Sequence, residues 1–231
     1  GLGNPKNPYR MNDYFKLDEE YGTDEDLKDF VYEAHKLGLK VMFDLVYFHC
    51  GPRAKLIDIN KDFIKRLPDG TPDNGDWNFP KLNFDCPELC EYLWGNMEYW
   101  VKNFDIDGYR CDVGDHVPLE FWREGVRRVK DIKPDFIMLN EGRKDEWIES
   151  GVFDANYCYW GFKQIFDLGE KNINKNLKAI KHINKQTMCF ENHDTASDEY
   201  ENRYERKFGK NVCDAMLVVT FTCGCVPFIY N

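Results

Sequence analysis

No stretch of this sequence approaches the roughly 18–20 consecutive apolar residues that a membrane-spanning helix requires, so no membrane partner is expected. A positive charge balance is missing too. The formal net charge is −10, which argues against nucleic acid or an anionic membrane surface and suits a neutral ligand. There is no CxxC pair, and only His49 stands beside a cysteine, Cys50, so no metal centre is expected. The nine cysteines show no evident pairing, and Cys223 and Cys225 stand too close for an easy bridge. Cys111, Cys158 and Cys189 lie in apolar runs, where a free cysteine acts as a small hydrophobe. That usage fits a reducing compartment, and a cytoplasmic location is expected. Neither a GxGxxG nor a Walker motif is present, which removes the usual nucleotide cradles.

What is present is aromatic and rhythmic. Phe, Trp and Tyr make up 16% of the 231 residues, a surplus that suits stacking on flat apolar faces as well as an aromatic core. Thr23 with Asp26 forms a capping box for a helix carrying Leu27, Phe30, Val31, Ala34 and Leu37 on one face, stopped by Gly38. Residues 39–46, LKVMFDLV, read as a strand buried on both faces. Residues 49–86, rich in Pro and Gly, form an irregular excursion too short for an independent domain. Pro87 then opens a helix with Leu89, Leu93, Trp100 and Val101, and IDGYRCD (106–112) is a strand. A helix after Pro118 carries Phe121, Trp122, Val126 and Val129 and precedes the strand FIMLNE (136–141). Further strands are expected at 152–160, 187–194 and 225–231, with helices near 174–184 and 211–222. Such alternation implies a parallel sheet flanked by helices.

Polar residues gather where these strands end: Asp44 and His49, Arg110 and Asp112, Glu141, His193 and Asp194. A site assembled from the carboxyl ends of successive strands is the habit of a (β/α)8 barrel, with a doubly wound open sheet as the alternative. Only five histidines occur, yet His49, His116 and His193 all stand at or just past strand ends that carry an aspartate. Arg110 and Asp112 lie two residues apart on one face of their strand. The pairing predicts that the guanidinium keeps Asp112 ionised as a nucleophile. Glu141, ending an apolar run, suits the less solvated partner that stays protonated. Two carboxyls about 5–5.5 Å apart serve retaining glycoside hydrolysis, so the pattern points to a carboxylate-based hydrolase.

Five segments then resemble, in order, the motifs of the α-amylase family (glycoside hydrolase family 13): FDLVYFH (43–49), FPKLN (79–83), GYRCDVGDH (108–116), NEG (140–142) and FENHD (190–194). The resemblance implies an incomplete (β/α)8 TIM barrel with a short domain-B-like insertion after the third strand. Residues 1–48 would run from the end of strand 2 to strand 3. Residues 49–86 would be the insertion, and 87–231 would carry strand 4 to the start of strand 8. A chain beginning with Gly1 and ending inside a strand is expected to be a fragment of a longer enzyme. PYRMNDY (8–14) resembles the family's GYxxxD segment and reads as the tail of a strand, with Tyr9 as a ring-stacking platform. By resemblance Asp112 is the nucleophile, Glu141 the general acid/base and Asp194 the transition-state stabiliser. His49, Arg110, His116 and His193 bind substrate, and Asp44 supports Arg110.

Departures are informative. Phe48 occupies the position of an Asn that helps hold calcium in the family, so no calcium and no other cofactor are expected. Asp115 replaces a common Lys, and His116 stands where the neopullulanase branch has Glu although FPKLN is close to that branch's MPKLN. These motifs point to different subfamilies. The expected activity is retaining hydrolysis of an α-glucan such as starch, glycogen or a maltooligosaccharide. An α-glucan transglycosidase and a non-catalytic glucan-binding relative are the alternatives.

Overall fold

The computed structural model describes residues 7–157, 173–194 and 203–230, which divide into two compact units, Gly1–Glu141 and Gly142–Asn231. The first contains α1 (Asp24–Lys36), β1 (Met42–Leu45), α2 (Lys55–Ile59), α3 (Pro87–Phe104), β2 (Gly108–Cys111), α4 (Leu119–Ile132) and β3 (Ile137–Asn140). Its strands are parallel in the order β1–β2–β3, with Asp44 opposite Arg110 and Arg110 opposite Leu139. Local chemistry sets the helix ends. The Thr23 hydroxyl accepts from the Asp26 amide while the Asp26 carboxylate accepts from the Thr23 amide, and Gly38 leaves α1 with φ +74°.

Helices α3 and α4 pack on each other and on the sheet. Leu89, Leu93, Trp100 and Val101 of α3, and Phe121, Trp122, Val126 and Val129 of α4, are buried as the spacing predicts. The buried indoles also find acceptors: Trp100 Nε1 donates to the Tyr14 carbonyl at 3.0 Å and Trp122 Nε1 to the Gly114 carbonyl at 3.1 Å.

Three expectations for this unit change. Phe30 and Leu37 are exposed, leaving Val31 and Ala34 as the buried residues of α1. The helix meets the core along a narrower stripe than its apolar periodicity suggests. Strand β1 is not buried on both faces, because Met42 and Asp44 are exposed. Among the described residues of the unit it pairs only with β2, so one flank is open. Residues 8–14 are irregular instead of a regular strand tail, with a turn in which the Arg10 amide donates to the Asn7 carbonyl and an isolated bridge residue at Asp13. The excursion is fastened back near the strand end by the bridge His49↔Lys81 and by the Leu82 amide donating to the Phe48 carbonyl at 3.0 Å, while the bridge Ile64↔Leu82 closes the excursion on itself. Buried Tyr14 donates its hydroxyl to the Val46 and His49 carbonyls at 3.1 Å each.

The second unit contains α5 (Asp145–Glu149), β4 (Ala155–Tyr157), α6 (Ile173–Ala179), β5 (Gln186–Cys189), α7 (Tyr204–Phe208), α8 (Lys210–Thr222) and β6 (Val226–Phe228). Strand β5 pairs in parallel with β4 and with β6, over a small core of Met188 and Met216. The end of the strand expected at 152–160 lies outside the described residues. The eight described cysteines are free thiols, and Cys223 and Cys225 stand 3.3 Å apart as unbonded sulfurs.

Candidate active site

The residues that could do chemistry in the first unit collect at the carboxyl ends of its strands. Arg110, near the end of β2, lies between three carboxylates. Its Nη1 donates to Asp44 Oδ1 at 2.8 Å and Oδ2 at 2.7 Å, and to Asp112 Oδ1 at 2.7 Å. Its Nη2 lies 2.7 Å from Glu141 Oε1. The parallel register explains the meeting, since β1 sets Asp44 directly across from Arg110 and Glu141 follows β3 immediately. One planar guanidinium therefore fixes the two proposed catalytic carboxyls by its two amino nitrogens.

The backbone beyond β2 is arranged for the same purpose. Val113 has φ +39° and ψ 43°, a left-handed conformation that a β-branched residue adopts only under strain. That turn aims the Val113 amide at Glu141 Oε2, 2.8 Å away. Asp115 accepts from the Asn140 amide at 2.8 Å and so ties the loop after β2 to the end of β3.

The electrostatics differ from the expectation. The Asp112 side chain is 9% exposed, against 20% for Glu141 and 39% for Asp44. Burial pushes the Asp112 carboxyl up to about 7, aided by the neighbouring Asp44 and Glu141 charges and opposed by Arg110. The expectation that Arg110 holds Asp112 ionised is thus corrected: loss of water around a nearly enclosed carboxylate outweighs one shared cation. Asp112, not Glu141, is the less solvated of the two.

His49 is buried, stacked on Phe79 with ring centroids 5.0 Å apart and planes 9° from parallel. Neither ring nitrogen has a hydrogen bond of normal geometry among the described residues. Burial lowers its pKa, with the Tyr9 backbone acting in the opposite direction, so it stands neutral and able to donate and accept. The Tyr9 ring lies 5.9 Å from the Arg110 guanidinium. His116 is exposed and sits 5.3 Å from the Phe48 ring. Phe48 was expected only to lack a metal-ligating atom, and Trp77 was not among the expected site residues. Both belong to one aromatic cluster with His49 and His116. The signal for this was the aromatic density of residues 77–79, but only the loop path brings it to residue 48. The Phe48 ring supplies no oxygen ligand for a calcium ion.

His193 and Asp194 follow β5 in the second unit. His193 Nε2 lies 3.4 Å from Asp194 Oδ1, and the Asp194 amide donates to Asn192 Oδ1 at 3.0 Å. The Asp194 side chain is about half exposed.

Residues 3–69 match the family model described as alpha amylase, catalytic domain. A maltogenic alpha-amylase of Bacillus acidopullulyticus is 37% identical over 171 residues, covering 65% of this chain and 29% of that protein. A cyclomaltodextrinase of Geobacillus thermopakistaniensis is 35% identical over the same length and coverage. The solved structure of an alpha-amylase from Lactobacillus plantarum superposes with a TM-score of 0.85 at 29% identity, over 100% of this chain and 59% of that one. The chain belongs to the α-amylase family. Its fold is the family's (β/α)8 barrel, represented in part, and the chain spans about 29% of the length of these two curated relatives. Within an α-amylase barrel, the carboxyl ends of the strands are where side chains from several strands can meet a substrate. Arg110, Asp112 and Glu141 occupy that position here.

Proposed function

We propose that the protein of which this chain is part is a retaining α-glucan hydrolase. The observation that carries the reading is Arg110 gripping both Asp112 and Glu141 at 2.7 Å, which brings onto one guanidinium the two carboxyls that glycoside hydrolysis needs. Retaining chemistry requires Asp112 ionised and a proton on Glu141. Asp112 then attacks the anomeric carbon while Glu141 gives its proton to the departing glycosidic oxygen. The bond to that oxygen breaks and a β-linked glycosyl-enzyme forms. Glu141 next takes a proton from water, whose oxygen attacks the same carbon, releasing Asp112 and a sugar of α configuration.

Asp194 is assigned to holding sugar hydroxyls in the transition state. His49, His116 and His193 are assigned as hydrogen-bonding partners of the glucan, and Tyr9 as a stacking surface beside Arg110. Asp44 keeps Arg110 in place. No metal takes part in this reading, which is consistent with Phe48. The names of the similar proteins, a maltogenic amylase and a cyclomaltodextrinase, support an α-glucan as the substrate class. A reducing, cytoplasmic setting belongs to the same reading.

The test is Asp112→Asn in the full protein, assayed on maltooligosaccharides. Turnover should fall by at least about 10⁴-fold, as loss of a nucleophile does in comparable enzymes. The amide removes a buried carboxyl with a raised pKa, so the variant should be no less stable than the parent at pH 8. Retained turnover in a folded variant would remove Asp112 from the chemistry.

A further inference from the structure

Among the described tryptophans, Trp77 stands apart by its exposure. Trp94, Trp100 and Trp122 donate their indole N–H groups to backbone carbonyls, and Trp147 is buried with its indole nitrogen unpartnered among the described residues. Trp77 is 51% exposed, and its indole nitrogen has no hydrogen-bond partner among the described residues. An indole of that size is ordinarily buried. Its ring neighbours meet it at steep angles: Phe48 at 5.6 Å and 84°, His49 at 5.8 Å and 51°, His116 at 6.4 Å and 76°. No described ring is stacked on the indole, and about half of the residue is open to solvent. The contrast is His49, one face of which is covered by Phe79.

The place is as telling as the exposure. Phe48 and His49 follow β1, and His116 follows Asp112 by four residues after β2. The excursion delivers Trp77 to that corner, held by the His49↔Lys81 bridge and the Cys50 amide bonded to the Pro80 carbonyl at 2.9 Å. The corner has apolar ring edges, a neutral buried histidine and an exposed indole. Its best complement is an uncharged ring with a C–H face and a rim of hydroxyls.

We infer that Trp77, backed by Phe48 and His116, is the stacking platform for a glucosyl unit adjacent to the one at Asp112, and that it sets how strongly longer glucans bind. This rests on the α-glucan reading above. Phe48 has a positive role in it: its ring props the indole edge-on, which the smaller amide of Asn would not do.

The test compares four versions of the full protein, all carrying Asp112→Asn so that glucan is not consumed: no further change, Trp77→Ala, Trp77→Tyr and Phe48→Asn. Maltohexaose affinity is measured by titration calorimetry, alongside turnover by the unaltered protein. Trp77→Ala should weaken binding about tenfold, the upper end of what one aromatic contact contributes. Trp77→Tyr should recover most of the loss, and Phe48→Asn should fall between. A merely structural Trp77 would not show rescue by another ring at an exposed site. Equal affinity of the Trp77→Ala and parent proteins, with turnover intact in the unaltered enzyme, overturns the platform and leaves the hydrolase reading standing. Tenfold weakening without turnover by the unaltered protein supports the platform while the hydrolase reading fails. Absence of both binding and turnover overturns both.

Discussion

Replacing Arg110 with Met tests whether one buried guanidinium organises the site. The substitution keeps an unbranched apolar stem but removes the charge that meets Asp112 and Glu141 at 2.7 Å. Asp44, 39% exposed, can turn to water and adds little. The cost falls on the other two, 9% and 20% exposed. Removing one partner of a buried ion pair costs about 3–5 kcal/mol, because the remaining charge stays desolvated. The cost should depend on pH with a definite sign. Asp112 is already pushed up to about 7, so at pH 5 it is protonated in parent and variant alike and the lost cation matters less. At pH 8 the parent holds a paired carboxylate, whereas the variant must bury it unpaired or keep the proton. Denaturant unfolding of the full protein at both pH values gives the comparison. The loss should reach about 3–5 kcal/mol at pH 8 and be clearly smaller at pH 5. Equal losses at the two pH values, or a loss below about 1 kcal/mol at pH 8, would refute the reasoning.

Three further outcomes follow from the structure. The kcat/KM of the full protein should rise with pH through an acid limb near 7, as Asp112 loses its proton; an acid limb near 4 would mean that burial does not dominate at Asp112. Over the same interval Asp112 lowers stability as pH rises, because the folded chain retains a proton that the unfolded chain has released. Gly108→Ala should destabilise by roughly 1–3 kcal/mol, since an added Cβ would lie 2.7 Å from the Ile137 carbonyl oxygen between β1 and β3. Unchanged stability by thermal unfolding would show that β2 can move away from β3 without cost.

Much of the first unit was legible in the chain. Thr23 and Asp26 cap α1, Pro87 opens α3, and the apolar spacing of α3 and α4 names the residues that are buried. These signals are local, so periodicity and hydrogen-bonding chemistry suffice to read them. The same holds for the order of polar residues at strand ends, which selected Asp44, Arg110, Asp112 and Glu141 before any geometry was known. Periodicity misjudged Phe30, Leu37 and the flank of β1, because it reports which residues could be buried, not what lies against them.

What the sequence determined by itself was the family, the succession of strands and helices, and the identity of the chemically competent side chains. Tertiary structure decided the balance of forces upon them. Whether Arg110 keeps Asp112 ionised depends on how much water surrounds the carboxyl and on two more carboxylates brought in by β1 and by the end of β3. It also decided that Trp77 belongs beside Phe48 and His116. Desolvation and proximity between distant segments are properties of packing in three dimensions, and no local pattern in the chain encodes their magnitude.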